Sequence, residues 1–179
     1  MKVKCISNKE RTDPSSLYEF LEVGKEYNVY GMVVSFGQVC YYICDRMHNE
    51  FPIAIPADLF EIVDRRLSRY WIFGFINAFE NYPFWIFPEW LTERYFQNKL
   101  TDWEDREMGI FKSYRELMDL EFPDSSVTVS AQIGDDMWLI CPECIDAWEC
   151  STSKDALVRC PMCKKLFNNP RYKNEYPHL

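Results

Sequence analysis

The first 65 residues alternate between apolar and polar positions in short runs, which is the pattern of β-strands. Five runs carry it: "KVKCIS", "LEVGKEYNVYGMVVSF", "QVCYYICD", "FPIAIP" and "PADLFEIVD". Gly37 marks a tight turn between the second run and the third. Four or five short strands joined by tight turns predict a small β-barrel-like unit in residues 1–65.

Residues 66–122 change character, because aromatic residues give way to the periodicity of a helix. Pro88 is a natural first helical residue before "EWLTERYFQNKL". The tetrapeptide "TDWE", Thr101–Glu104, matches a capping box, in which the two end residues satisfy each other's backbone donors. One helical face follows: Ile110, Phe111, Tyr114, Leu117 and Met118. The segment is therefore predicted to be mainly helical and to end near Pro123.

Alternation returns in "SVTVSAQIGDDMW", which predicts a strand that leads into the C-terminal part of the chain. Further short strands are predicted at Trp138–Ile140, Ala147–Cys150 and Leu157–Arg159, with Leu166 and Phe167 after them. Together the patterns predict an α+β protein, with a body of residues 1–137 and a small C-terminal domain of residues 138–179.

Two near-copies of one tetrapeptide, "CPEC" and "CPMC", place four cysteines in the C-terminal domain. The spacing is Cys141-x2-Cys144, then fifteen residues, then Cys160-x2-Cys163. Two sulfurs three positions apart on a tight turn reach one metal ion at about 2.3 Å, so two such turns complete a tetrahedron. Four thiolates leave no open position for a substrate, which predicts one structural zinc ion. Cys150 lies between the pairs, but four ligands already satisfy zinc.

Other chemistry is open to the same cysteines. Two disulfides or free thiols are one alternative, and iron in a rubredoxin-like site is another, because the ligand set is the same. A redox dithiol would need one such motif after a strand in a βαβ unit, which two copies flanking a hairpin do not fit.

Residues 138–168 resemble a zinc ribbon with two knuckles, on the two "CPxC" tetrapeptides and the short strands around them. The resemblance implies that the four cysteines hold one Zn²⁺. Members of that family often have glycine after the second cysteine of a knuckle, where this chain has Ile145 and Lys164. Residues 1–65 resemble bacterial SH3-like barrels in "LEVGKEYNVYGMV" and "FPIAIPADLFEIVD", which implies a closed barrel.

The charge distribution bears on the partner. The chain has a formal charge of −8; residues 1–137 carry 14 basic and 23 acidic side chains, and residues 138–179 carry 6 and 5. An acidic body repels phosphate backbones and favours basic partners. The first residues lack the apolar core of a signal peptide, and the most apolar region is interrupted by prolines and glutamates. A cytoplasmic protein without membrane association is therefore expected.

Catalytic motifs are not recognisable in the sequence. The two histidines are His48 and His178, and neither a phosphate loop nor a nucleophile elbow is present. An enzyme is therefore not expected. The aromatic residues between positions 70 and 90 favour a core or a protein interface over base stacking, since few basic residues flank them.

These features favour a protein-binding inhibitor. The profile resembles that of immunity proteins of toxin–immunity pairs, which implies stoichiometric neutralisation of a basic toxin domain. The acidic cluster of Asp102, Glu104 and Asp105 supplies the candidate partner-binding residues, although acids at this spacing also suit a solvated helix start. The alternative is a zinc-ribbon accessory protein in nucleic-acid transactions. Its contact patch would comprise Lys164, Lys165, Arg171 and Lys173, near Phe167 and Tyr172.

Overall fold

A computed structural model describes residues 1–9, 17–77, 81–123, 127–135, 137–151 and 155–173. The chain forms two compact units, Met1–Met118 and Asp119–Leu179, whereas the sequence predicted a division between residues 137 and 138. The first unit contains 14 basic and 18 acidic side chains, and the second contains 6 and 10, so each has a net charge of −4. Divided in this way, the acidic excess is shared equally by the two units.

The first unit contains seven strands among its described residues, all paired antiparallel. They are β1 (Lys2–Cys5), β2 (Glu26–Ser35), β3 (Gln38–Ile43), β4 (Ile53–Pro56), β5 (Phe60–Asp64), β6 (Ile72–Asn77) and β7 (Asn81–Ile86). Five follow the order β4-β3-β2-β1-β5, while β7 pairs with β2 and β6 pairs with β7. The strand runs predicted from alternation in the first 65 residues are therefore present.

The sheet does not close, so the prediction of a closed barrel is wrong. One edge of β2 is divided: its first residues pair with β1 through Asn28, and its later residues pair with β7 through Met32. Because β1 is only four residues long, it leaves the rest of that edge of β2 open to β7. Among the described strands, β4, β5 and β6 each pair with one neighbour only.

The prediction that residues 66–122 are mainly helical is only partly correct, because the segment begins with two strands. Residues 72–77 and 81–86 form the paired strands β6 and β7, and the first described α-helix of this segment begins at Pro88, as predicted. Alternation explains the hairpin: Gly74 and Phe84 face inward, whereas Phe73 lies on the opposite face and is half exposed. The described part of the chain contains three α-helices, α1 (Pro88–Thr92), α2 (Phe96–Thr101) and α3 (Asp105–Glu121), and one short 3-10 helix at Ala57–Leu59.

Thr101 does not cap α3, so the predicted capping box is wrong. It is the last residue of α2, and its Oγ1 donates a hydrogen bond to the Asn98 carbonyl at 2.9 Å. Tyr95, with φ of 67°, separates α1 from α2 and explains why the predicted single helix is broken. The predicted apolar face of α3 is buried at Phe111 and Met118, but Leu117 is exposed.

A charge network ties the three helices together. Glu93, which ends α1, accepts hydrogen bonds from Lys99 of α2 and from Arg106 of α3. Arg106 also bonds Glu107 at 2.8 Å, and Lys99 lies 3.5 Å from the same carboxylate. The hydrogen bonds from Lys99 and then Arg106 lower the pKa of Glu93 to about 2. Glu107 is buried, and Lys99 and Arg106 offset the cost of removing its carboxylate from water.

The buried residues of the first unit form two clusters. The first includes Val3, Val29 and Ile43 and lies among the strands β1 to β5. The second joins Val33 and Ile86 of the sheet to residues of the three helices. None of the described helices has the length and apolar character required to cross a membrane.

The second unit is built from very short strands. They are β8 (Gln132–Ile133), β9 (Trp138–Ile140), β10 (Ala147–Glu149), β11 (Leu157–Arg159) and β12 (Leu166–Asn168). The first three form one sheet in the order β10-β9-β8, and β11 pairs with β12. The strands predicted at Trp138–Ile140 and Leu157–Arg159 are confirmed, and the one predicted at Ala147–Cys150 ends one residue earlier. Leu139, Val158 and Phe167 are the buried apolar residues that join the two hairpins.

Candidate metal centre

Each "CPxC" tetrapeptide forms the turn of one hairpin in the second unit. The first connects β9 to β10 and the second connects β11 to β12. In both, the N–H of the first cysteine donates to a carbonyl five residues later: Cys141 to Asp146 at 2.8 Å, and Cys160 to Lys165 at 3.0 Å. The two knuckles therefore share one backbone hydrogen-bond pattern.

The knuckles bring four sulfur atoms together. The Sγ atoms of Cys141, Cys144, Cys160 and Cys163 all lie within 4.8 Å of one another. The Cys141–Cys163 distance is 3.7 Å and the Cys144–Cys160 distance is 3.6 Å. Sulfurs at the corners of a tetrahedron with metal bonds of about 2.3 Å are about 3.8 Å apart, whereas a disulfide joins them at about 2.05 Å. The cluster therefore has the size of a four-thiolate metal site and not of two disulfides.

The protonation of the thiols also fits a cation. Desolvation opposes ionisation of Cys141, but the N–H groups of Cys144 and Glu143 and the neighbouring thiols outweigh it and lower its pKa to about 7. The N–H of Asp146 favours the Cys144 thiolate, yet desolvation and three neighbouring sulfurs raise its pKa to about 12. The pKa of Cys163 is raised in the same way. One thiolate thus forms easily and hinders the next, and a divalent cation removes that repulsion.

The residue after each knuckle has a left-handed backbone. Ile145 has φ of 62° and Lys164 has φ of 61°, in the region that glycine adopts most easily. Both N–H groups donate to the carbonyl of the first cysteine of their knuckle, at 3.0 Å. Both knuckles therefore keep this turn without glycine. Ile145 and Lys164 instead adopt a backbone conformation that costs an L-residue free energy.

The four cysteines of the cluster differ in burial. Cys141 and Cys160 are fully buried, Cys163 is half buried, and Cys144 is exposed. The Cys141 sulfur also accepts the N–H of Glu143 at 3.4 Å, a contact that the sequence analysis missed. The Glu143 carboxylate in turn pairs with Lys165 of the other knuckle at 2.9 Å. These contacts orient the ligands, as the groups surrounding a metal site commonly do.

Two of the four basic residues in the predicted nucleic-acid patch have internal partners. Lys165 pairs with Glu143, and Arg171 donates to the carbonyls of Asp135, Trp138 and Cys150. The shortest of these bonds, to Asp135, is 2.6 Å. Arg171 is therefore a clamp that fixes the chain around β9, a role that no sequence motif signals.

The candidate partner-binding acids lie in the first unit, at the turn between α2 and α3. Asp102, Glu104 and Asp105 are all exposed. Between them stands Trp103, whose side chain is 58% exposed and whose φ is 62°. Its ring lies nearly perpendicular to that of Phe51, with centroids 5.6 Å apart. We name residues 102–105 the acidic corner.

Other candidate residues have structural roles. Cys150 is buried in the same apolar cluster as Cys160, but it is not part of the four-sulfur group. His48 is held by the buried Asp45, with Nδ1 to Oδ2 at 2.8 Å. The other oxygen of Asp45 accepts two backbone N–H groups, so the carboxylate closes a turn. His178 lies outside the described residues.

Comparisons of this chain with protein-family models, with curated proteins and with solved structures find no match.

Proposed function

We propose that the second unit is a zinc ribbon in which Cys141, Cys144, Cys160 and Cys163 hold one structural Zn²⁺. The observation that carries the proposal is the group of four sulfurs between two knuckles with the same hydrogen bonds. Four soft thiolates in tetrahedral arrangement suit zinc, and they leave no position for a reacting molecule. Zinc then supplies folding free energy to a unit whose strands have only two or three residues.

Elemental analysis of the purified chain tests this proposal. We expect one zinc per chain, loss of zinc in Cys163→Ser, and retention of zinc in the matched control Cys150→Ser. Structural zinc contributes on the order of 10–16 kcal/mol at neutral pH, so Cys163→Ser should unfold the second unit. Stoichiometric iron, absence of metal, or loss of metal in Cys150→Ser would contradict the assignment.

We further propose that the protein neutralises a cognate toxin by stoichiometric binding, as an immunity protein does, without catalytic turnover. The specific observation in favour is the acidic corner, where three exposed acidic residues flank an exposed tryptophan in the sequence. Carboxylates attract a basic surface and raise the association rate, and an exposed tryptophan ring can contact a lysine or arginine. A basic toxin domain is the partner whose chemistry this corner fits.

Binding kinetics with the product of the adjacent gene test the second proposal. Reversing the corner charges in Asp102→Lys, Glu104→Lys and Asp105→Lys should slow association several-fold at low salt. The effect should shrink near 0.5 M salt, where the Debye length is roughly 4 Å. Trp103→Ala should instead raise the dissociation rate, because a buried anchor acts after encounter.

A matched triple variant separates the acidic corner from net charge. Reversing Glu19, Glu61 and Glu116, which are exposed and lie outside the acidic corner in the first unit, changes the total charge by the same amount. We expect this control to slow association less than the corner variant does. Equal slowing by both would refute a local role for the corner, and failure of the wild type to bind or to protect cells from that gene product would refute neutralisation.

The alternative hypothesis, an accessory protein that binds nucleic acid, has weaker support. Lys165 is exposed but pairs with Glu143, and Arg171 is engaged with backbone carbonyls, so Lys164 and Lys173 are the basic residues of the predicted patch that have no ion pair among the described residues. Two charges release few counterions, so affinity for a phosphate backbone would be low. Salt-sensitive binding of the wild type to DNA or RNA, together with no complex with the adjacent gene product, would favour this reading.

A further inference from the structure

Strand β6 is a palindrome at the edge of the sheet of the first unit. Its first five residues read Ile-Phe-Gly-Phe-Ile from either end, with Gly74 at the centre. One edge of β6 pairs with β7, and its other edge pairs with none of the strands that the structure describes. An antiparallel pair of identical strands places each residue against its mirror position, so a palindrome brings like residues together across a two-fold axis.

The two faces of β6 differ. On the inner face, a Cβ at Gly74 would lie 2.4 Å from a methyl carbon of Leu91 in α1, so the helix covers this side. On the outer face, Phe73 is 54% exposed and Phe75 is 53% exposed. The two rings contact each other, with centroids 5.3 Å apart, and Phe73 packs on Trp85 of β7 at 4.9 Å. The edge is therefore bordered by an aromatic surface open to solvent.

The usual protection of a sheet edge is missing from β6. Proteins blunt such edges with charged residues or proline. Among the edge strands described, β4 ends in Pro56, and β5 contains Glu61 and Asp64. By contrast, β6 contains neither a charged residue nor a proline, and it lies in a hairpin whose described residues include no acid or base.

The palindrome identifies the occupant. Each chain carries −8, so two copies repel each other at long range, and an edge strand without charged residues adds no further repulsion at the contact. Strand β6 is such an edge, and its palindrome makes it complementary to itself. We propose that two copies of this chain associate through antiparallel pairing of β6 with β6. Gly74 then lies near the two-fold axis, and Phe73 of each copy faces Phe75 of the other.

The exposed area predicts a weak dimer. A buried aromatic side chain covers 150–250 Å², so a half-exposed phenylalanine offers roughly 100 Å². Phe73 and Phe75 of two copies together contribute roughly 400 Å², which is well below the 1,200–2,000 Å² of stable interfaces even after backbone atoms are added. We expect a dissociation constant on the order of 0.1 mM, so the dimer forms only in concentrated solution.

Sedimentation equilibrium of the full zinc-loaded chain, over about 10 µM to 1 mM, tests the proposal. The wild type should shift from monomer towards dimer, and Phe73→Glu should stay monomeric because a carboxylate then replaces an aromatic ring at each contact between positions 73 and 75. Phe36→Glu is the matched control, since Phe36 is 87% exposed at the β2–β3 turn. Circular dichroism verifies that both variants fold. A monomeric wild type, or equal effects of the two variants, would overturn the proposal.

The register is tested by mixing two variants. Phe73→Glu and Phe75→Lys should each be monomeric alone, because each homodimer buries two unpaired charges. Mixed in equal amounts they should form a heterodimer, because Glu at position 73 faces Lys at position 75 of the other chain. This result distinguishes the strand pairing from association through any other surface. Failure of the mixture to associate while the wild type dimerises would refute the Phe73–Phe75 register. The dimer proposal is independent of the toxin hypothesis.

Discussion

Replacing Ile145 by glycine should stabilise the second unit, although it removes a large side chain. Ile145 has φ of 62° and its side chain is 74% exposed, so the substitution relieves backbone strain and loses little packing. An L-residue in the left-handed region costs roughly 1–2 kcal/mol, and β-branched residues are the least tolerated. Glycine offsets up to about 1 kcal/mol of this gain, because it gives the unfolded chain more conformational freedom. The net expectation is about 0.5–1 kcal/mol of added stability.

Competition with a zinc chelator near neutral pH measures this difference, because metal binding and folding of such a unit are coupled. An added 0.5–1 kcal/mol corresponds to about a two- to fivefold rise in apparent zinc affinity. Lys164→Gly should act in the same direction but less strongly, since lysine is not β-branched and its φ is 61°. Thermal unfolding of the zinc-loaded chain provides a second readout.

Ile145→Ala is the control for the glycine variant. It removes the same side-chain contacts but keeps a Cβ in the left-handed conformation, so most of the strain should remain. If zinc affinity in Ile145→Gly were no higher than in Ile145→Ala, relief of the left-handed backbone could not be the cause. A loss of affinity in both variants would show instead that the exposed isoleucine contributes contacts to the second unit.

Three further outcomes follow from the first unit. Hydrogen bonds lower the pKa of Glu93 from a usual 4.5 to about 2, so the ionised carboxylate stabilises the fold above pH 4.5. This contribution is lost as the pH falls from 4.5 towards 2. The stability of Glu93→Gln, measured by acid unfolding, should therefore depend less steeply on pH in that window. Glu107→Gln should cost about 1–3 kcal/mol in urea unfolding, because it removes the buried charge facing Lys99 and Arg106. Gly109→Ala should add about 0.5–1 kcal/mol in α3, where a Cβ meets open space, whereas Gly31→Ala should destabilise because its Cβ would lie 2.5 Å from Ile86.

The four-cysteine cluster was the part of this protein that the sequence could predict best. Thiolate ligation needs two short turns at a fixed spacing, and both requirements are local, so the "CPxC" pairs specified which sulfurs meet. The supporting contacts were not predictable in this way. Arg171 reaches carbonyls more than twenty positions earlier in the sequence, and such contacts depend on the tertiary path of the chain.

The errors in the first unit have a common cause. The segment around Phe73 and Trp85 is aromatic on both faces, so its period of two was hidden and a helix was predicted instead of a hairpin. The hairpin contains β7, which pairs with the second half of β2. Without β7, the strands of the first 65 residues alone suggested a closed barrel. At Thr101 the capping-box pattern was met by chance, because the residue terminates one helix and does not begin the next.

The unequal burial of the four cysteines has a kinetic consequence. Cys144 is exposed, whereas Cys141 and Cys160 are fully buried. With zinc bound as we propose, an incoming chelator or acceptor protein would replace the Cys144 thiolate first, without opening the knuckles. Zinc would then be handed over one ligand at a time, starting from Cys144, and the exchange rate would rise with the concentration of the competing ligand. A zinc ion bound tightly at equilibrium would in that case still be exchangeable on a much shorter timescale than that of unfolding.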